Sequence, residues 1–326
     1  MPQKLIIDAD PGIGDALAIA VALFDPEIDL IGVTATSGCV SGPAATRNIQ
    51  AIIEALDPPK WPRIGSCDRE TLPTLRDFAT ESVSTSALNG PSGLGDWDFR
   101  VAELASPKDS AKLLIELTRA EPLEITLLTL GPLTNVALAL DRAPDFLDLL
   151  KGIVVLGGSV TAGGDVTPAA EFNIFSNPEA ARAVLGSPAT KTLVPLDVSC
   201  VPVLTFDQHK RLPNNESTLM GRFLQSLLPF ALRAHHQHLG LEGMRLNEVA
   251  AVAAISRPEM FQVSPMAVDV ETKGELTRGM TVFDRRGQQH WKSNIDVLRE
   301  VESQAVIDYL TATLRRAGNG ASGGSA

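Results

Sequence analysis

The chain has 326 residues, of which 44% are hydrophobic, enough to bury a large core without disulfides. Its 28 basic and 39 acidic residues give a net charge of −11, which argues against nucleic acid or an anionic membrane as a partner. Three widely spaced cysteines without a CxxC pair argue against a disulfide framework and a zinc site. No signal peptide follows Met1 and no apolar run reaches the ~18 residues that span a bilayer, so we expect a cytoplasmic protein with a small ligand.

Apolar runs that predict strands alternate along the chain with segments of helical periodicity. The predicted strands are residues 5–7, 30–33, 125–128, 153–156 and 191–194, and the predicted helices are residues 15–23, 44–56, 110–120, 133–140 and 178–185. Continuous hydrophobicity is typical of parallel strands that are covered on both faces. The sequence therefore predicts an α/β fold with an open, mostly parallel, Rossmann-like sheet flanked by helices.

We expect one domain over residues 1–317. Residues 68–97 are rich in Thr, Ser, Gly and Pro and lack a clear period, which predicts loops around a site. Residues 318–326 are rich in Gly, Ser and Ala and have nothing to bury, which predicts a disordered tail.

Three acidic residues, Asp8, Asp10 and Asp15, follow the first predicted strand. Ligands of open α/β sheets bind at the carboxyl ends of the strands, and carboxylates that meet there repel one another unless a cation neutralises them. The cluster therefore predicts a divalent metal site. The structural alternative is that Asp8 caps the turn and Asp15 only favours the start of a helix.

The turn that carries these acids also contains Gly12 and Gly14, which raises two phosphate-binding alternatives. A dinucleotide fingerprint needs a third glycine where this chain has Leu17, and it would place the carboxylates against a pyrophosphate. A phosphate-binding P-loop needs a closing Gly-Lys-Ser/Thr, which this segment lacks. Both alternatives are weaker than the metal site.

Residues 7–18, with the sequence IDADPGIGDALA, resemble the DTDPGxDDAxA signature of the inosine-uridine-preferring nucleoside hydrolases. Further family-like segments follow in the family's order at residues 46–48, 90–95, 130–135, 156–158, 170–174 and 277–282. The resemblance implies the nucleoside hydrolase fold, hydrolysis of the N-glycosidic bond of a nucleoside-like small molecule, and a homodimer or homotetramer.

The resemblance also implies a Ca²⁺ ion held by the carboxylates of Asp10, Asp15 and Glu248 and by the main-chain carbonyl of Leu130. The family has an aspartate where this chain has Glu248, in a late His-Asp pair. The glutamate is longer by one methylene, so the ion or the backbone would have to shift.

Substrate contacts match the family's pattern only in part. Glu171 and Asn173 resemble the residues that hold the ribose hydroxyls. Gly14 stands where the family has an aspartate that contacts the 2′-hydroxyl, which suggests tolerance of a different or 2′-deoxy sugar.

Four further positions of the implied site differ from the family's pattern. Cys39 replaces an asparagine after the second strand, Asp165 replaces another asparagine, and Asn89 replaces a loop histidine. Asn247 replaces the histidine that is implicated in protonating the leaving group. These departures predict an altered substrate specificity.

Water activation is the half of the chemistry that the sequence retains. A metal lowers the pKa of a water bound to it, and the carboxylate of Asp10 could accept the proton. Leaving-group protonation is missing, since Asn89 and Asn247 cannot donate a proton near neutral pH. The nearby His235, His236 and His238 could substitute for them, or could form a solvated helix face.

Two hypotheses for the function follow. The first is an active N-ribohydrolase with altered specificity, and the second is a catalytically silent paralogue that binds nucleosides or sugars. Cys39 could be read as a nucleophile, but a small packing residue is the better interpretation, because no histidine is near it in sequence.

Overall fold

The computed structural model describes residues 1–70, 85–102, 107–286, 288 and 290–320. In chain order the strands are β1 (Gln3–Ala9), β2 (Ile28–Ala35), β3 (Arg63–Ser66), β4 (Lys108–Asp109), β5 (Ile125–Thr129), β6 (Gly152–Leu156), β7 (Lys191–Val194), β8 (Val203–Thr205), β9 (Gly243–Arg245), β10 (Phe261–Met266), β11 (Val268–Val270), β12 (Thr281–Phe283) and β13 (Ile295–Val301).

Helices fill most of the connections between these strands. They are α1 (Ile13–Phe24), α2 (Gly42–Leu56), α3 (Thr85–Asn89), α4 (Ser110–Ala120), α5 (Thr134–Arg142), α6 (Phe172–Ser176), α7 (Pro178–Leu185), α8 (Leu196–Ser199), α9 (Phe206–His209), α10 (Leu219–Leu239), α11 (Asn247–Ser256) and α12 (Ser303–Gly320), with 3₁₀ turns at Leu147–Leu149 and Pro258–Met260.

A nine-stranded sheet runs through the middle of the fold in the order β10-β13-β7-β6-β5-β1-β2-β3-β4. All neighbours in it are parallel except β10 and β13, which form an antiparallel edge. The mostly parallel α/β sheet that the sequence predicts is therefore confirmed, and each predicted strand and helix coincides with an observed one. The antiparallel edge was not predicted, because β10 shows a half-exposed pattern in place of a continuous apolar run.

The central strand β1 explains why the strands are apolar on both faces. Leu5 and Ile7 pack into a core with α1, α2, α10, α11 and α12 on one side of the sheet. Ile6 packs into a second core with α4, α5 and α7 on the other side. No helix in the described part of the chain is long and apolar enough to cross a membrane.

The end of the chain differs from the sequence-based expectation. Helix α12 continues to Gly320, so residues 318–320 are helical and the predicted tail cannot begin at 318. The helix is docked by buried Val306, Leu310 and Leu314, which allow it to continue into the glycine-rich end. Residues 321–326, and residues 71–84 of the predicted loop region, lie outside the described residues.

A buried carboxylate joins three helices beneath the sheet. Asp25 follows α1, and its Oδ2 accepts hydrogen bonds from Ser256 Oγ in α11 and from Tyr309 Oη in α12, both at 2.5 Å. Its Oδ1 accepts a hydrogen bond from the main-chain N–H of Glu27 at 2.9 Å. This cluster fixes the positions of α11 and α12 relative to α1, and α1 and α11 both contribute to the cavity described below.

Replacing Tyr309 with phenylalanine removes one donor from this carboxylate. We expect Tyr309→Phe to lower the free energy of unfolding by about 1.5–3 kcal/mol, because the lost hydrogen bond is buried and its acceptor is charged. Urea denaturation measures the change. Thr311→Val is the control, since the Thr311 hydroxyl is half-buried and, among the described residues, bonds only to Ile307 O of its own helix. Equal effects of the two substitutions would contradict the prediction.

Candidate active site

A cavity of about 480 Å³ opens at one edge of the sheet. Asp10, Leu130 and Gly157 are the first residues after β1, β5 and β6, and all three line it. The carboxyl ends of parallel strands are where open α/β sheets bind their ligands, and the volume lies in the range of small-molecule sites.

The cavity brings together the metal, catalytic and substrate-contact residues that the family resemblance implied. They come from separate stretches of the chain and meet because the strand ends and the helices α3, α10 and α11 surround one space. The nominated residues that line it are Asp10, Gly14, Asp15, Cys39, Asn89, Leu130, Asp165, Glu171, Asn173, Asn247 and Glu248.

Asp10 is buried, and its carboxylate is fixed by its surroundings. The main-chain N–H of Cys39 donates to Asp10 Oδ2 at 2.5 Å. A Cβ at Gly38 would lie 2.7 Å from Asp10 Cγ, and one at Gly131 would lie 3.0 Å from the same atom, in each case closer still to a carboxylate oxygen. The two glycines therefore leave room for the carboxylate, and a side chain at either position would displace it.

The turn between β1 and α1 is closed by side chains. Asp15 Oδ2 accepts a hydrogen bond from the Gly12 N–H at 2.9 Å, so this acid closes the first turn of α1. Asn89 Oδ1 accepts one from the Ile13 N–H at 2.9 Å, and its Nδ2 donates to Thr85 O at 3.3 Å. Asp15 Oδ1 is buried and has no hydrogen-bond partner among the described residues, so it remains available to a ligand.

Gly14 and Glu248 occupy the floor of the cavity together. A Cβ at position 14 would lie 2.5 Å from Glu248 Cδ and closer to Oε2. The glutamate carboxylate therefore occupies the space into which a side chain at position 14 would project. The two departures from the family's pattern are sterically linked, since the absent side chain at 14 accommodates the longer one at 248.

Three carboxylates are crowded at this floor. Burial raises the pKa of Asp10 and Glu248 to about 7, and burial together with the charges of Asp10 and Glu248 raises the pKa of Asp15 well above its usual range. A cation would offset this repulsion, and oxygen ligands suit a hard divalent ion. In the described ranges no group of three His, Cys, Asp or Glu side chains already converges as a formed metal site, so an ion would have to draw these carboxylates together.

Glu171 and Asn173 connect this floor to the next strand ends. Glu171 Oε1 accepts a hydrogen bond from the Asn173 N–H at 2.9 Å, and Oε2 accepts from the N–H groups of Gly158 and Ile174 at 2.9 and 3.1 Å. Asn173 Nδ2 donates to Leu130 O at 2.7 Å. Because a carbonyl oxygen has two lone pairs, Leu130 can still bind a cation.

Asp165 lies next to Glu171 on the cavity wall. Its Oδ1 accepts a hydrogen bond from the Phe172 N–H at 2.9 Å. The pKa of Glu171 is raised to about 8, mainly by burial and to a smaller extent by the charge of Asp165. Burial also raises the pKa of Asp165, while the positive charge of Arg245 opposes that shift.

The sequence from residue 5 to residue 308 matches the profile of the family described as inosine-uridine preferring nucleoside hydrolase. The chain belongs to this family. Its members are N-glycosyl hydrolases, so the protein is an enzyme of that class. The match includes all or part of every strand of the sheet and every nominated residue.

Similar proteins cover almost the whole chain. Uridine nucleosidase 1 of Arabidopsis thaliana is 34% identical over 96% of this chain and 94% of its own length. The non-specific ribonucleoside hydrolase RihC of Escherichia coli (strain SMS-3-5 / SECEC) is 33% identical over 96% of this chain and 99% of its own. The solved structure of a purine-preferring ribonucleoside hydrolase from Gardnerella vaginalis superposes with a TM-score of 0.86 at 28% identity, covering 97% of this chain and 99% of that one.

Asp8 does not line the nucleoside hydrolase cavity. Its Oδ1 accepts hydrogen bonds from Thr34 Oγ1 at 2.6 Å and from Asn135 Nδ2 at 2.8 Å. Burial raises its pKa to about 7, against the opposing effect of these hydrogen bonds. Asp8 therefore joins the ends of β1 and β2 to α5, and the acids that face the cavity are those at 10, 15 and 248.

The three histidines of α10 differ in their surroundings. His235 lines the cavity, with Nδ1 hydrogen-bonded to Ala231 O at 2.9 Å. Burial lowers its pKa, so the ring is neutral near neutral pH and is a poor proton donor. His236 and His238 are exposed, as the solvated-face interpretation predicts.

Two other nominated side chains are held by neighbours. Cys39 Sγ donates to Asp10 O at 2.7 Å, and burial raises its thiol pKa well above the usual range, which matches a packing role and not a nucleophile. Asn247 Nδ2 donates to Cys200 Sγ at 3.7 Å, while its buried Oδ1 has no partner in the described part of the chain.

Sequence reasoning missed Arg245, at the end of β9, which also lines the cavity. The available signal was an arginine two residues before the Asn247-Glu248 pair, in an otherwise apolar strand. Leu156, Leu196 and Met244 were missed as well, because apolar lining residues have the same sequence pattern as core residues.

The contact between positions 14 and 248 gives a testable coupling. We expect Gly14→Ala to lower the free energy of unfolding by about 1–3 kcal/mol, because the new methyl group displaces the Glu248 carboxylate. Glu248→Asp in the same chain should recover part of this loss, giving a coupling energy of at least about 0.5 kcal/mol. Denaturation of the four variants of this cycle, in the presence of a chelator, measures it.

Gly152→Ala is the matched control for adding a methyl group, since a Cβ there would have its nearest neighbour at 3.6 Å. Strictly additive effects at positions 14 and 248 would show that the two side chains do not compete for the same space.

Proposed function

We propose that the protein is a metal-dependent N-ribohydrolase that cleaves the N-glycosidic bond of a nucleoside or related N-riboside into base and sugar. The observation that carries this proposal is the meeting of Asp10, Asp15, Glu248 and the carbonyl of Leu130 in one cavity at the carboxyl edge of the sheet. The arrangement supports this proposal because the acids meet in a cavity large enough for a nucleoside.

Asp10, Asp15, Glu248 and Leu130 O would hold the divalent cation, for which Ca²⁺ is our proposal. An all-oxygen ligand set favours a hard ion over zinc or copper, and the buried Asp15 Oδ1 without a partner supports a ligand there. When bound, the cation supplies the positive charge that makes a water molecule more acidic.

Asp10 would accept the proton of the attacking water. The Cys39 N–H orients its carboxylate, and the absence of side chains at Gly38 and Gly131 leaves the carboxylate room. General-base catalysis requires this kind of fixed position within hydrogen-bonding reach of the proton.

Glu171, Asn173 and Asp165 would face the sugar. Breaking the C1′–N bond leaves positive charge on the sugar ring, and nearby carboxylates stabilise that charge. Because Gly14 offers no side chain, the acidic contact to the 2′-hydroxyl that the family resemblance implies at this position is missing. We therefore propose an altered specificity towards the sugar, with activity on 2′-deoxyribosides as well as ribosides.

The names of the similar proteins all indicate a nucleoside substrate, but they differ in the base that they specify. Their names specify uridine, ribonucleosides without a specified base, and purine ribonucleosides. They support a nucleoside as the substrate of this chain and do not single out one base. The homodimer or homotetramer implied by the family resemblance stays a prediction.

Removal of the proposed general base, Asp10, should stop the reaction. We expect Asp10→Asn to lower kcat for release of free base from uridine or inosine by at least about 100-fold, because the amide cannot accept the proton from water. Chromatographic detection of the free base measures the rate.

Asp296→Asn is the matched control, since this exposed acid lies on β13, away from the cavity, and should keep full activity. Unchanged turnover in Asp10→Asn would refute the assignment. Binding of nucleoside by the unaltered protein without any release of base, across ribosides and 2′-deoxyribosides, would favour the catalytically silent paralogue.

Cation binding should stabilise the folded protein. At a free Ca²⁺ concentration of about 100 times Kd the expected gain is about 2.7 kcal/mol, seen as a rise in Tm after the chelated protein is titrated with CaCl₂. Asp15→Asn and Glu248→Gln should abolish most of this rise, because each removes one anionic ligand. Asp296→Asn should retain it, and an equal loss in all three variants would argue against the proposed ligand set.

A further inference from the structure

The described residues assigned above to the metal, the water and the sugar leave the departing base without a stabilising group. Heterolysis of the C1′–N bond leaves its electron pair on the base nitrogen, so negative charge develops there. Asn89 is hydrogen-bonded to Ile13 N and Thr85 O, the Cys39 thiol donates to Asp10 O, and His235 is neutral near neutral pH. None of these side chains is a ready proton donor.

Arg245 carries the one cationic side chain among the described residues that line the cavity. It ends β9, which pairs with β8 in a two-stranded sheet outside the main one, and it is half-buried. Within the described ranges its guanidinium has no hydrogen-bond or ion-pair partner. A charged group in this position, without a fixed partner, is available to a ligand.

The charges of the cavity are unevenly distributed. Asp10, Asp15 and Glu248 form its floor, whereas the groups whose pKa Arg245 influences are Asp165, Cys200 and His235. Cys200 also accepts the hydrogen bond of Asn247, so Arg245 and Asn247 share a neighbour. Arg245 therefore belongs to the part of the wall where β9 packs against α10.

The sign of the charge decides which part of the substrate Arg245 can assist. A guanidinium beside the sugar carbon would repel the positive charge that develops there, whereas beside the base it would attract the negative charge. Water and the base lie on opposite faces of C1′ in a displacement, so a base that leaves opposite Asp10 points away from the acidic floor.

We propose that Arg245 is a catalytic residue that donates hydrogen bonds to an acceptor atom of the departing base and so replaces a general acid. The inference rests on the proposed N-ribohydrolase activity. The C1′–N electron pair goes to the base, the water oxygen bonds to C1′, and the water proton goes to Asp10. Arg245 keeps its own proton, because a guanidinium does not deprotonate in proteins, and the base takes up its proton from solvent after release.

The test compares two substrates with different leaving groups. We expect Arg245→Met to lower kcat for inosine and uridine by about 100-fold, the effect of removing one donor to a developing anion. With p-nitrophenyl riboside, whose phenolate leaves without assistance, kcat should be almost unchanged. Arg245→Lys should recover part of the loss, because it restores the charge with fewer donors.

Arg211→Met is the matched control, because it removes one positive charge from an exposed position that does not line the cavity, and both substrates should react at the normal rate. Equal losses on both substrates in Arg245→Met would overturn the proposal and assign Arg245 to the sugar or to folding. The absence of any loss would also overturn it.

Calorimetry of the free bases uracil and hypoxanthine separates this inference from the proposed function. If the unaltered protein hydrolyses none of the ribosides, the proposed function fails. Weaker binding of the free base by Arg245→Met than by Arg211→Met would still support contact with the base. Equal binding of the free base by the two variants would contradict a contact between Arg245 and the base.

Discussion

Burial of carboxylates at the end of the first strand is the constraint on which the site depends. Moving an ionised carboxylate out of water is costly unless donors or a cation compensate for it. Each acid has its own arrangement: Asp8 accepts from Thr34 and Asn135, Asp10 from the Cys39 N–H, and Asp15 from the Gly12 N–H. The backbone around β1 is therefore organised to deliver these donors.

The consequence is a cavity with a negative floor and, among the described residues that line it, one positive charge on its wall. Heterolysis of a bond between a sugar and a base leaves positive charge on the sugar and negative charge on the base. The proposed binding places the sugar near the acids of the floor and the base near Arg245. Preorganised charges opposite in sign to those that develop on the sugar and the base stabilise such a transition state without reorganisation at the moment of reaction. This explains how a nucleoside hydrolase could work with asparagines at 89 and 247, where the family has histidines.

The departures from the family's pattern are not independent of one another. Glycine at 14 and glutamate at 248 share one space, and the acid at 165 lies within the electrostatic influence of Arg245. A change that appears disruptive at one position is compensated at a second. The altered positions at 14 and 248 are therefore coupled by the space that they share.

The sequence alone determined the α/β class, five strands and the helices between them, and it nominated the site residues. Runs of apolar residues and helical periodicity are local properties that need no knowledge of the partner elements. The order of the motifs then placed the acids at strand ends. These predictions depended only on residues that are close to one another along the chain.

Only the tertiary structure decided which of these residues share a space. It separated Asp8 from the cavity, placed His235 in it and left His236 outside. It also showed the contact of Gly14 with Glu248, and it brought in Arg245. Such contacts join residues more than 200 positions apart, and they depend on how α10, α11 and β9 pack against the sheet edge. No local pattern encodes that packing, so the opposing charges of the cavity could be recognised only in the folded chain.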